Sequence, residues 1–278
     1  MRRLVSSRLA AVVAGIAAIA CAKEKPVEQP PAPAPPAAPN VVHVEAADYS
    51  FKAPDSIPSG VTTFHMMNGG KEPHQMMLVK VPYAAMQKMD PNAPPPADLV
   101  AVGGPNAALP GGNAEVTVDL APGDYTMLCF IPGADGKPHM MKGMMKGLTV
   151  TQGTSTAVMP TPDMTVKLSD YTFDMPDTVK AGHHVIRVEN SGPQEHEMVF
   201  VKLEAGKTGM DFIKWTDGMK GPPPGSPING VGSLTTGQAN SIQVDLTPGN
   251  YALMCFVPDT KDKKAHFMHG MIKNITVT

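Results

Sequence analysis

An all-β chain of two tandem Greek-key β-sandwiches is predicted by three features of this 278-residue sequence. The first is an internal repeat. The 34 residues from Asp48 lie ungapped on the 34 from Asp170 with twelve identities, and VDLAPGDYTMLCFIP (118–132) returns as VDLTPGNYALMCFVP (244–258). A period of about 125 residues is a whole domain rather than a solenoid unit. The second is that each copy breaks into short apolar runs, several alternating with polar residues as half-buried strands do. The third is the spread of 30 Pro and 26 Gly between those runs, which suits a loop-rich β protein better than a helical one.

From the N-terminus, residues 1–20 read as a signal peptide. Arg2, Arg3 and Arg8 form a basic region before LAAVVAGIAAIA, an apolar run too short to span a bilayer comfortably. Ala18-Ile19-Ala20-Cys21 resembles a bacterial lipobox, with Ala18 where Leu is commoner. The resemblance implies that Cys21 carries diacylglycerol and anchors the chain on the periplasmic side of a membrane. The alternative is ordinary cleavage, which leaves a soluble periplasmic protein. Residues 21–40 hold seven prolines, too many for a helix or a central strand. Such a tract is a semi-rigid tether, able to span on the order of 60 Å.

The first domain is expected over residues 41–151, a linker over 152–163 and the second domain over 164–278. In the first copy the strand-like runs are VVHVEAADYSF, VTTFHMMN, QMMLVKV, AEVTVDL, YTMLCF and GLTVT. APGDY and TPGNY are turn phrases leading into the strand before each repeated cysteine. Each copy carries a Pro/Gly-rich insertion between its third and fourth runs, and YAAMQKMD and GMDFIKWTD just before are expected as short helices. Short strands with long crossovers give the Greek-key expectation.

The charge balance, 23 Lys and Arg against 25 Asp and Glu, has no basic stripe interleaved with aromatics, which excludes nucleic acid as a partner. Without the three N-terminal arginines the chain is mildly acidic.

Aligning the copies pairs four residues: His74 with His196, Cys129 with Cys255, His139 with His266 and Met144 with Met271. A thiolate, two imidazoles and a thioether form the donor set of an electron-transfer copper site. Thiolate and thioether favour Cu(I), and imidazole accepts either oxidation state. Cys, the second His and Met share one loop, while the remote His comes from another strand end.

On these motifs the chain resembles the cupredoxins, the small blue copper proteins such as plastocyanin and azurin. Asn68-Gly-Gly-Lys-Glu-Pro-His74 and Asn190-Ser-Gly-Pro-Gln-Glu-His196 are similar to the turn leading to the first plastocyanin ligand. His139-Met-Met-Lys-Gly-Met144 and His266-Phe-Met-His-Gly-Met271 keep the plastocyanin-like His-to-Met spacing. The resemblance implies one type 1 copper per domain, two in total. Cys129 and Cys255 would be the thiolates, His74, His139, His196 and His266 the imidazoles, and Met144 and Met271 the axial ligands. It also implies single-electron exchange with redox partner proteins. One departure stands out: nine residues separate Cys129 from His139 and ten separate Cys255 from His266. Most small cupredoxins have a shorter loop, and one nearly this long occurs in copper nitrite reductases.

Reductases and oxidases similar to tandem cupredoxins use a histidine beside the type 1 cysteine to hold a second copper centre. Here those neighbours are Leu128 and Phe130, and Met254 and Phe256. The chain is therefore expected not to be an enzyme. A copper storage or delivery role is the alternative, with Met140, Met141, Met145 and Met268 as extra Cu(I) thioethers. The same methionines could instead form an apolar docking surface around an exposed second imidazole. A Cys129–Cys255 disulfide would leave the matched histidines and methionines unexplained. His43, His65, His183, His184 and His269 are expected as solvated or structural histidines.

Overall fold

The computed structural model describes residues 37–89, 96 and 99–278. The signal peptide, Cys21 and almost all of the Pro-rich tether lie outside the described residues. In chain order the first repeat supplies β1 (Asn40–Ala47), β2 (Ser50–Lys52), β3 (Ser56–Pro58), β4 (Gly60–Asn68), β5 (Met77–Val79), α1 (Tyr83–Met86), β6 (Ala101–Gly103), β7 (Asn113–Leu120), β8 (Gly123–Leu128) and β9 (Met145–Thr151). The second supplies β10 (Met164–Ser169), β11 (Thr172–Asp174), β12 (Thr178–Val179), β13 (Gly182–Asn190), β14 (His196–Leu203), α2 (Gly209–Thr216), β15 (Gly225–Leu234), β16 (Ala239–Leu246), β17 (Gly249–Met254) and β18 (Ile272–Val277). The all-β expectation holds, and both short helices form where expected.

Two sheets make the sandwich. One runs β11-β10-β13-β16-β7-β4-β1-β2, the other β12-β18-β17-β14-β15-β6-β5-β8-β9-β3. Each order is a mirrored pair, one half from each repeat, and each sheet crosses between repeats without a break. Ser241 pairs with Thr117 across β16 and β7, and Leu234 pairs with Val102 across β15 and β6. The Pro/Gly-rich insertions thus contain the strands β6 and β15 that join the repeats.

Period-two alternation decides what each face buries. Met198 and Phe200 of β14 point into the main core with Phe64, Met66, Val116 and Leu253. The intervening Val199, Val201 and Leu203 face the other way and are covered by Phe212 and Ile213 of α2. Thr208 caps α2, exchanging hydrogen bonds with Asp211 as a capping box. Among the described residues no helix is long and apolar enough to cross a membrane.

The run VVHVEAADYSF does not form one strand. It breaks into the β1–β2 hairpin at Asp48-Tyr49, where Tyr49 adopts a left-handed φ of 66° and Tyr171 repeats it at 65°. That conformation is costly for a bulky residue, and it directs both side chains of the turn at the same site.

Candidate metal centres

The first histidine of each centre is set by a pinned turn. Asn68 is buried, and its Nδ2 donates to the carbonyls of Glu72 and Ala108 while its Oδ1 accepts from Gly70 N–H. His74 and Ala108 then exchange backbone hydrogen bonds of 3.0 and 2.8 Å, which locks the ring's origin. Asn190 does the same for His196 through Gln194, Leu234 and Gly192. Gly70 is required for space, because a β-carbon there would meet His74 Nε2 and Asp48; one at Gly192 would meet His196 Nε2 and the backbone of Ser169.

The second histidine and the methionine come from the loop after the cysteine strand. Cys129 follows β8 and Cys255 follows β17, both fully buried and both free thiols. The long Cys–His loop folds onto itself: Pro132 bridges to Pro138, and Pro258 to Ala265. The extra residues are a pinched excursion, so His139 still returns to Ile131 with a 3.0 Å backbone bond. A 3-10 turn (His139–Lys142) then ends at Gly143 with φ 102°, and its counterpart (His266–His269) ends at Gly270 with φ 98°. These glycines supply the left-handed residue that turns the chain back. Met144 is brought under the cysteine, with Cys129 N–H donating to its carbonyl; Met271 stands likewise to Cys255. Both methionines are fully buried in the same core cluster as the cysteines.

Three predicted donors of each set converge. His74 Nδ1 lies 3.1 Å from His139 Nδ1, and Cys129 Sγ lies 3.6 Å from the latter. In the second centre the separations are 3.0 and 3.5 Å. In each set the three donor atoms all lie within 4.8 Å of one another, and every residue is buried. Donors about 2.0 Å (nitrogen) and about 2.3 Å (sulfur) from one tetrahedral ion would stand about 3.3 and about 3.5 Å apart. The spacing therefore fits a shared metal ion, and two imidazoles with one thiolate are compatible with type 1 copper.

Around the donors sits a shell of carboxylates and tyrosines to which the sequence reading assigned no role. Asp48 Oδ1 lies 3.1 Å from His74 Nε2 and accepts from Lys71 and Glu72 N–H. Burial pushes this carboxyl up, but those hydrogen bonds and His74 hold it below its ordinary value. Asp170 lies 3.0 Å from His196 Nε2. Burial depresses His74 and His196 below the usual imidazole value, against the pull of these aspartates. Burial also pushes the Cys129 thiol up to about 11, and Cys255 higher still. Metal-free, both thiols therefore keep their protons, and binding an ion would release them.

The second imidazoles are not exposed. His139 and His266 are completely buried, so the apolar docking surface around an exposed histidine is corrected: Tyr49 packs on His139 with ring centres 5.2 Å apart, and Tyr171 on His266 at 5.5 Å. The open apolar groups nearby are Phe130, next to Cys129, with Met141 and Met268. Met76 and Met198, two residues after the first histidines, are fully buried in the main core.

Beside the second centre stands a buried carboxylate without a counterpart. Glu197 accepts from Phe256 N–H, its own N–H donates to Cys255 Sγ, and its Oε2 accepts from Asn106 Nδ2 of the first repeat at 2.9 Å. Burial raises it to about 7. The matching residue in the first repeat is the neutral Gln75.

Asp259, Asp262 and His269 form a third group of potential ligands. Both oxygens of Asp259 are already engaged, by Tyr171, Gln194 and the N–H groups of Lys261 and Asp262. The group is a loop staple. His183 and His184 face different aspartates, Asp245 and Asp163, and His43 stacks edge-on against His65 on the sandwich surface.

No protein-family profile matches the chain, and no curated protein matches it. Several solved structures match the chain at low similarity. Auracyanin from Roseiflexus castenholzii matches at 21% identity and a TM-score of 0.30, over 41% of this chain and 95% of its own. The blue copper oxidase of Nitrosomonas europaea matches at 16% identity and a TM-score of 0.27, over 86% of this chain and 85% of its own. The copper-containing nitrite reductase of Thermus scotoductus SA-01 matches at 15% identity and a TM-score of 0.25, over 86% of this chain but 61% of its own.

Proposed function

We propose that the chain is an exported electron-transfer protein with two type 1 copper centres, one in each repeat. The observation that carries this reading is the pair of buried His-Cys-His sets whose donor spacing fits a shared ion twice in one chain. His74, Cys129, His139 and Met144 would hold one copper, and His196, Cys255, His266 and Met271 the other. Bound copper supplies reversible one-electron exchange. The protein's part is to hold the imidazoles and the cysteine sulfur in place before the ion arrives, so that a change of charge needs little movement. Asp48 and Asp170 fix the ring orientation of the remote histidines, and Tyr49 and Tyr171 keep water from the second ones.

Redox partner proteins are the proposed donors and acceptors, with Cys21 as a lipid anchor on the periplasmic side of the membrane. No substrate turnover is proposed, since hydrophobic residues flank both cysteines where a second copper centre would need histidine.

The test is metal analysis together with optical and EPR spectra of the copper-loaded protein. Two coppers per chain are expected, with a thiolate-to-copper charge-transfer band that C129A and C255A each reduce and the double variant abolishes. No such band, or a band indifferent to both cysteines, would sink the reading. More than two coppers, retained without the cysteines, would favour a Cu(I) store at exposed thioethers such as Met141 and Met268.

A further inference from the structure

The two centres share their donors but not what holds the second imidazole. In the first, His139 Nε2 lies 2.6 Å from Glu72 Oε2, a short charge-assisted contact. In the second, His266 Nε2 is buried without a hydrogen-bond partner among the described residues, and Asp259 Oδ2 stands 4.0 Å away.

The cause lies in two exchanged positions. Glu72, two residues before His74, corresponds to Gln194, and Gly133, four after Cys129, corresponds to Asp259. Each repeat therefore places one carboxylate in this space, from opposite sides. A β-carbon at Gly133 would lie 3.2 Å from Glu72 Oε2, so both cannot occupy the space freely. The exchange is not equivalent in effect. Asp259 is taken up by Tyr171 OH, Gln194 Nε2 and two backbone N–H groups, and it makes no hydrogen bond to the imidazole. Glu72 has only the distant Tyr49 OH, at 3.5 Å, as a competing side-chain donor.

We infer that Glu72 is a positioning residue that orients His139 and strengthens its donation to a bound ion, and that the first centre therefore holds Cu(II) more tightly than the second. A carboxylate on the far nitrogen of a ligating imidazole fixes its tautomer and strengthens its donation, typically by 10–100-fold in metal affinity. The far nitrogen of His266 has no such carboxylate, and only the ring of Tyr171 packs on that imidazole from outside the donor set. This inference rests on the copper reading proposed above.

The test uses full-length single-centre forms, C255A to report the first centre and C129A the second. Each is titrated with Cu(II) against a competing chelator while its EPR spectrum is recorded. The first centre is expected to bind at least about tenfold more tightly. Adding E72Q to C255A is expected to weaken binding by about 10–100-fold and to alter the EPR signal, with the metal-free unfolding midpoint little changed. Adding Q194E and D259G to C129A, which recreates the first repeat's pattern, is expected to tighten the second centre. Equal affinities, or a silent E72Q, overturn the inference alone. Failure of both single-centre forms to bind copper overturns the copper reading and this inference with it.

Discussion

His74 and His139 face each other Nδ1 to Nδ1 across 3.1 Å, both rings closed to solvent, with no proton needed between them once an ion is bound. Without an ion His74 resists protonation. Burial depresses His74, and His196 and His266 in the second centre, below 6.5. An imidazole depressed by folding stabilises the fold above its unfolded value, and that stability is lost as the pH falls below 6.5. At the other end, Cys129 is raised from 9.0 to about 11, so its contribution is present below 9.0 and is lost as the pH rises towards about 11. The denaturation midpoint of metal-free protein is expected to fall on both sides of that window, and copper loading to flatten the profile.

G70A should damage the first centre without touching a ligand. Its β-carbon would sit between Asp48 and His74 Nε2. A loss of roughly 1–3 kcal/mol in stability is expected. Copper-loaded G70A should show an altered EPR signal for the first centre and an unchanged second signal. Unfolding curves and EPR on the same preparation check this.

Glu197 and Asn106 make the second centre depend on the first repeat. Because burial raises Glu197 from 4.5 to about 7, its effect on stability is favourable at low pH and is lost as the pH rises through about 7. E197Q, which installs the residue that Gln75 already is, should therefore be more stable than the parent above about pH 7. N106A removes the donor to a fully buried oxygen, at a cost of about 1–3 kcal/mol. It should shift the spectrum of the second centre and leave the first unchanged, which optical spectra of single-centre forms would show.

M144L keeps the buried volume but withdraws the thioether. Such a swap costs less than about 1.5 kcal/mol. Replacing this weak axial donor by hydrocarbon makes the site more apolar, which disfavours the more highly charged Cu(II), so the reduction potential of the first centre should rise. Redox titration of the C255A background reads this directly.

The eight proposed ligands were legible because duplication doubled the signal: Met144 and Met271 stand at one distance from their histidines, while Met140 and Met145 have no methionine counterpart. Asp48-Tyr49 and Asp170-Tyr171 were visible too, as identical residues at the head of the aligned blocks. Their roles were not, because a left-handed tyrosine inside an apolar run reads as strand. Glu72 and Gln194 differ between copies, so comparing repeats discards them. The Asn106–Glu197 contact needs β6 and β15 side by side, and both strands lie in stretches whose prolines and glycines read as irregular.

The unbroken sheets also bear on segment 152–163, which is mostly exposed and carries almost no regular structure. A protease cut there is expected to leave both halves eluting together on native gel filtration and unfolding in one transition. The joints at Thr117–Ser241 and Val102–Leu234 hold the repeats regardless of that segment. The molecule thus behaves as a ruler rather than a hinge. Any tunnelling between the two coppers would take place over one length, set by the strands between them.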